Sequence, residues 1–223
     1  MNQILSNQNE IQINTKNKIQ NISLHSSPSI FKITFWISLF IIFICIIFYF
    51  FTKYNSWQKE KLSKSLTNQF NIRSLYSKQN NYTAEKSIYN SRNDPFVIGL
   101  LKIDKINLMY PILSTSSEKL LEISPCRFYG PMPNEIGNLC IAGHNYANQT
   151  HFGKLSSLEK GDLIEIYDSN GSKTNYIIYN KFEVHANDIS CTNQNTNKKR
   201  EVTLITCNTI KGNRLVIKAK ENR

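Results

Sequence analysis

The sequence predicts a mostly-β domain, a small closed or nearly closed barrel rich in antiparallel pairs, behind a single transmembrane helix. Three observations predict it. Residues 33–51 are almost unbroken apolar sequence. From Phe96 onward, short apolar stretches alternate with turn signals. No long helical pattern separates those stretches, which argues against a parallel βαβ fold.

The anchor comes first. As a helix, residues 33–51 rise roughly 28 Å, close to the roughly 30 Å apolar slab of a bilayer. Lys32 and Lys53 bracket the stretch, and Trp36 and Tyr49 lie near its two ends, where interfacial aromatics are favoured. A soluble core helix would keep a polar stripe, and this stretch has none. The stretch begins too far in, and lacks a small-x-small site after it, for a cleaved signal peptide. Lys16, Lys18 and Lys32 precede it and Lys53, Lys59, Lys61 and Lys64 follow, so lysine bias leaves its orientation open.

Around the anchor the chain is polar. Residues 1–29, rich in Asn, Gln, Ser and Lys, read as a disordered tail. Residues 30–52 are the anchor, and 53–96 a polar juxtamembrane stalk. Within the stalk, Trp57, Leu62, Leu66 and Phe70 are spaced for one helix face, so it is either a helix or a flexible spacer. Asp94-Pro95-Phe96 marks the boundary of a domain over 97–223.

Strands are expected at 96–103 and 106–113, with a turn at Asp104-Lys105 between them. A short helix at 116–123 takes Ser116 or Ser117 as its cap. Strands follow at 138–142 and 163–167. Asp168-Ser-Asn-Gly171 is a hairpin turn signal, and 175–185 is the returning strand. The last two strands are 201–207 and 214–219.

The formal net charge is +11, from 27 basic and 16 acidic residues. No helix-turn-helix, zinc-finger spacing or aromatic-basic repeat accompanies that charge, so nucleic acid is not indicated as a partner. The cysteines lack a Cys-x-x-Cys pair and the histidines are scattered, so neither a metal nor any other cofactor is expected.

Chemistry concentrates near the C-terminus. Cys207 closes the apolar run Thr203-Leu-Ile-Thr-Cys207 and precedes a polar loop. Cys45 lies in the span, Cys140 within a strand, and Cys126 and Cys191 near turns. A nucleophilic thiol needs a proton-transfer partner and a donor for the oxyanion. His144, in Ala142-Gly-His144, follows a glycine at a strand end. His25 precedes the anchor, His151 lies in the loop after His144 and His185 ends a different strand, so a surface position is open to either of the last two and local context favours His144. Arg214 opens the last strand and stands at the same end as Cys207 if the final two strands are neighbours.

These residues resemble the sortases, membrane-anchored cysteine transpeptidases of Gram-positive bacteria. The resemblance is carried by Thr203-Leu-Ile-Thr-Cys207, Ala142-Gly-His144 and Arg214. It extends to Ile98-Gly-Leu-Leu-Lys-Ile103, Phe152-Gly-Lys-Leu155 and Leu158-Glu-Lys-Gly-Asp162, and covers residues 97–220 plus the anchor. It implies an eight-stranded β-barrel with short helices, with Cys207 as nucleophile, His144 as general acid/base and Arg214 as oxyanion donor. It also implies a single pass through the cell membrane with the catalytic domain outside. The implied substrates are surface proteins with a C-terminal, Leu-Pro-x-Thr-Gly-like sorting signal. The implied acceptor is an amine of the cell envelope, such as a peptidoglycan precursor or a pilin lysine, with membrane lipid around the anchor.

The chain departs from common members at Lys102-Ile-Asp-Lys, where many have Ile-Pro-Lys. Asp94-Pro95-Phe96 resembles a lid motif but abuts the first strand, and reads as a domain boundary. The short Cys207–Arg214 interval and single anchor look most like the compact class D members, with a class B-like sortase as the other subclass. Two other functions stay open: a non-catalytic wall-binding β-domain, and a thiol peptidase that hydrolyses.

Overall fold

The computed structural model describes residues 28–79, 96–208 and 212–222. The chain divides into two compact units, Met1–Asn55 and Ser56–Arg223. The first 27 residues, and the Asp94-Pro95 pair of the lid-like motif, lie outside the described residues.

Helix α1 runs over Pro28–Gln79. In the first unit its apolar side chains are exposed all round, including Phe35, Trp36, Phe40 and Phe48. Thr34 and Thr52 donate their hydroxyls to carbonyls of the preceding turn, at 3.0–3.1 Å to Phe31 and Ile30 and 2.9 Å to Tyr49. That local pairing satisfies these two hydroxyls without water. By length and composition this helix fits a single-pass membrane anchor.

In the second unit α1 buries Ser63, Thr67 and Phe70. The face anticipated from Trp57, Leu62, Leu66 and Phe70 is therefore rotated, with Trp57 and Leu62 exposed. Ser63, Thr67 and Phe70 follow i, i+4, i+7 spacing, so they share a face, and two of the three are small enough to let the helix backbone approach its neighbours.

The rest of the unit is a closed eight-stranded barrel. Its strands are β1 (Val97–Ile103), β2 (Leu108–Leu113), β3 (Cys126–Tyr129), β4 (Gly137–Ala142), β5 (Leu163–Asp168), β6 (Lys173–Val184), β7 (Arg200–Asn208) and β8 (Asn213–Glu221). The order around the barrel is β1-β2-β3-β4-β7-β8-β6-β5. All neighbours are antiparallel except β2–β3 and β4–β7.

Turn chemistry matches the connections. β1 and β2 are joined through Asp104–Ile106 and Asn107, whose left-handed φ of 53° suits asparagine. At the β5–β6 hairpin, Asp168 Oδ1 accepts from the Asn170 and Ser172 amides at 2.9 Å each, and Gly171 takes φ 75°. Between β2 and β3, the helical turn α2 (Glu118–Leu121) is capped by Ser117, whose hydroxyl accepts from the Leu120 amide at 3.3 Å.

Alternation along the strands builds two cores. Leu139, Ile141, Val202, Leu204, Leu215 and Ile217 fill the main barrel core. At the alternate positions, Cys140, Ile205 and Val216 form a second cluster with Cys191 on the opposite face of β4, β7 and β8. Cys191 comes from the β6–β7 connection, which the buried Asn138 ties down. Its Nδ2 donates to the Cys191 and Asn193 carbonyls at 3.1 Å each, and its Oδ1 accepts from Thr203 at 2.7 Å. Gln194 pairs with both the amide and the carbonyl of Asn138, at 3.0 and 2.9 Å.

Candidate active site

Exposure separates the cysteines. Cys126, Cys140 and Cys191 are buried, whereas Cys207 is exposed near the end of β7. Burial pushes the Cys126 and Cys140 thiols up to about 12 and raises that of Cys191. Those three are held as neutral, inert packing groups. Cys207 is the thiol of the barrel that solvent and a ligand can reach.

Strand register places its neighbours. Cys207 is the direct partner of Arg214 across the antiparallel β7–β8 ladder. On its other side β4 runs parallel to β7, with Ala142 level with Ile205. β4 ends there, and His144 follows two residues later in the loop, while β7 runs on through Cys207. Cys207 alternates with Ile205, and Arg214 with Val216, so both share the face of the second cluster. Cys207 and Arg214 thus face the same side as directly paired residues, and the loop that carries His144 leaves β4 at the same end of β7.

Arg214 is oriented from the next strand over. Its Nε donates to the Ala186 carbonyl at 2.8 Å. His185 also lies at this end, since Val184 partners Arg214. It stands beyond Arg214, two strands or about 10 Å from the Cys207 line. Its Nδ1 accepts from the Asn187 amide at 3.4 Å. His25 lies outside the described residues.

The loop after β4 is fastened to β7. The Gly143 amide donates to Ile205 O at 3.1 Å, and Thr206 Oγ1 donates to Gly143 O at 2.7 Å. Asn145 Nδ2 donates to Cys207 O at 2.8 Å. The His144 carbonyl accepts from the Phe152 amide at 2.9 Å. A Cβ at Gly143 would meet Phe152 Cδ2 at 2.7 Å, so only glycine lets the phenyl ring close against the backbone here.

Of the two histidines for which the sequence left a surface position open, His151 is buried. It is 4% exposed, in a left-handed conformation with φ 49°. Its ring packs edge-on against Tyr110 and Tyr146, with centroids 4.9 and 5.1 Å away. Tyr146 in turn lies 5.1 Å from the His144 ring. The single aromatic positions Tyr110 and Tyr146 carried no periodic signal linking them to a histidine.

The juxtamembrane part of α1 also reaches this neighbourhood. Lys59 Nζ pairs with Glu122 at 2.7 Å, and Tyr110 donates to Glu60 at 3.2 Å. The Lys59 ammonium, with a smaller contribution from His144, holds the Glu122 carboxyl below its ordinary value. Nothing in the sequence pattern connected Lys59 or Glu122 with the histidine loop, because that link exists only through the fold. Among the described residues, no three His, Cys, Asp or Glu side chains stand together as a metal site.

A mixed barrel with an exposed thiol paired with an arginine across two strands, preceded by an apolar helix that fits a single-pass membrane anchor, is the arrangement of a thiol protein. Comparison with known proteins makes the class definite. The family model described as "Sortase domain" matches residues 101–222, and the chain belongs to the sortase family. A Sortase A of Bacillus anthracis is 33% identical over 118 residues, covering 52% of this chain and 55% of that protein. The chain thus spans about half the length of that curated relative. Among solved structures, a Clostridium perfringens Sortase D5 transpeptidase superposes with a TM-score of 0.59 at 27% identity, covering 74% of this chain and 99% of that one. A Clostridium perfringens sortase C, solved with the C-terminal cell wall sorting motif, shares the fold with a TM-score of 0.54 at 21% identity, over 74% of this chain and 90% of that one.

Proposed function

We propose that the protein is a membrane-anchored cysteine transpeptidase of the cell envelope. It cleaves a Leu-Pro-x-Thr-Gly-like sorting signal between Thr and Gly and transfers the threonyl carbonyl to an amine. The observation that carries this reading is an exposed Cys207 paired with Arg214 across the β7–β8 ladder, with the loop that bears His144 fastened to the same end of β7. Family membership supports it.

The chemistry follows from those three groups. The Cys207 thiolate attacks the threonyl carbonyl carbon, forming the C–S bond. Arg214 donates to the oxygen as it becomes an oxyanion, and its tether to Ala186 O holds the guanidinium in place before the substrate arrives. His144 as imidazolium gives its proton to the glycine nitrogen as the C–N bond breaks, leaving a thioester. An incoming amine then attacks that thioester. Neutral His144 takes the amine's proton, and the thiolate leaves.

The anchor, residues 30–52, keeps the enzyme at the membrane. The catalytic domain, residues 97–223, faces the exterior, where sorting signals and amine acceptors of the wall meet. The stalk, 53–96, begins as the continuation of α1. The likeness to the D5 transpeptidase supports the compact class D reading. The full chain in detergent, incubated with a sorting-signal peptide library and candidate amines, tests the function by product mass. Amine-linked products are expected. Only hydrolysed products at saturating amine would instead make it a peptidase, and no cleavage of any library member would leave a non-catalytic wall-binding domain.

A further inference from the structure

The residue after the histidine bears directly on the nucleophile. Three hydrogen bonds fasten the histidine loop to β7, and they fall on both sides of His144. Gly143 N to Ile205 O and Thr206 Oγ1 to Gly143 O lie before it. Asn145 Nδ2 to Cys207 O, at 2.8 Å, lies after it. The first two are buried in the strand pairing. The third joins side chain to backbone at the rim, where regular pairing between β4 and β7 has ended.

We infer that Asn145 is a positioning residue that locks His144 beside Cys207, resting on the catalytic reading of those two residues. The geometry leaves it this role. β4 ends at Ala142, so the parallel ladder no longer fixes the chain at His144. The Asn145–His151 bridge and the Phe152 amide hold the loop to itself beyond His144, and a separate tie fixes that part of it to β7. Asn145 supplies that tie, and its acceptor is the carbonyl of the cysteine itself. The loop's return also passes through Asn145, which bridges to His151, while Phe152 N holds the His144 carbonyl at 2.9 Å. One side chain thereby couples the loop and the thiol strand. A carboxamide suits the position because it is short and presents an N–H donor to a carbonyl. A reacting pair held this closely loses rate steeply on small displacement.

Two measurements on the full chain in detergent test this. In the first, H144C is combined with wild-type Asn145, with Asn145→Ala, or with Asn145→Leu, which keeps the volume without a donor. Each is oxidised with oxidised dithiothreitol. The rate of the disulfide between position 144 and Cys207 is read by mass from the tryptic peptide containing Cys207. Both Asn145 variants are expected to slow this link by about 10-fold. In the second, with His144 intact, the same variants turn over the peptide that acylates Cys207 with kcat lowered about 10-fold and KM unchanged, at unaltered thermal midpoint. Wild-type trapping rates and kcat in Asn145→Leu would overturn the positioning role. A Cys207→Ala chain that still turns over peptide would instead overturn the catalytic reading, whatever Asn145 does.

Discussion

Replacing His151 with asparagine flattens the acid side of the protein's stability profile. His151 is 4% exposed, and its Nδ1 has no hydrogen-bond partner among the described residues. Burial first, and the nearby His144 second, hold its pKa down to about 4. In the unfolded chain the imidazole titrates near 6.5, so between these values the unfolded state binds the extra proton. Stability therefore falls as pH drops. Each pH unit in that window is worth about 1.4 kcal/mol, which gives a loss of about 2 kcal/mol by pH 5 and about 3 kcal/mol by pH 4. Asparagine accepts the left-handed backbone that His151 occupies at φ 49° and carries no proton. The volume lost beside Tyr110 and Tyr146 costs the same at every pH, so only the slope reports the histidine. Glu165 and Asp162 are held below their ordinary values by lysine partners, Lys173 and Lys102 for the former and Lys105 for the latter. Their stability is present above the unfolded carboxylate values and lost only below them, and it cancels between the two proteins. The assay is urea unfolding of the full chain in nonionic detergent at intervals from pH 7.5 to 4.5, for wild type and His151→Asn. The wild-type curve is expected to lose about 2 kcal/mol more than the variant by pH 5. Parallel curves would refute the claim that His151 is buried neutral.

Two further perturbations follow from the site. Arg214→Lys removes the planar fork that is tethered to Ala186 O, on the residue paired with Cys207 across the β7–β8 ladder. It should lower kcat by about 10²–10³-fold with little change in KM, as steady-state kinetics with a cleaved peptide would show. Asn138→Ala strips the partners from the Cys191 and Asn193 carbonyls and from Thr203. It should cost about 2–4 kcal/mol in urea unfolding and raise amide exchange through residues 185–199, whereas unchanged exchange there would mean the connection is held by other contacts.

Much of this was legible in the chain, for reasons specific to each element. The strands from β4 onward showed as β-branched and apolar runs ending in turn residues, so their expected limits lie close to the observed ones. Asp168 and Gly171 announced the β5–β6 hairpin through side-chain and backbone chemistry that acts over a few residues. β3 was not anticipated. It is four residues long, and of these only Cys126 is buried, while Phe128 and Tyr129 are exposed, so no alternation marks it. The parallel β4–β7 pairing was equally hidden, because register between distant strands leaves no trace in either one alone. Yet that pairing is what brings the start of the His144 loop beside the end of β7 that carries Cys207. The choice of Cys207 over Cys126, Cys140 and Cys191 rested on its place at a strand end, and the fold adds that the other three are buried. His144 was chosen over His151 on local context, while the aromatic packing that buries His151 depends on Tyr110, far away in sequence.

The most direct test of the catalytic account is the mass of the tryptic peptide Glu201–Lys211 after brief exposure of the full chain to a cleaved sorting-signal peptide. The account predicts an added threonyl-terminated acyl group on Cys207, removed when an amine is supplied, and neither adduct nor turnover in Cys207→Ala. Cleavage that proceeds without any adduct on Cys207, or that survives Cys207→Ala, would contradict it.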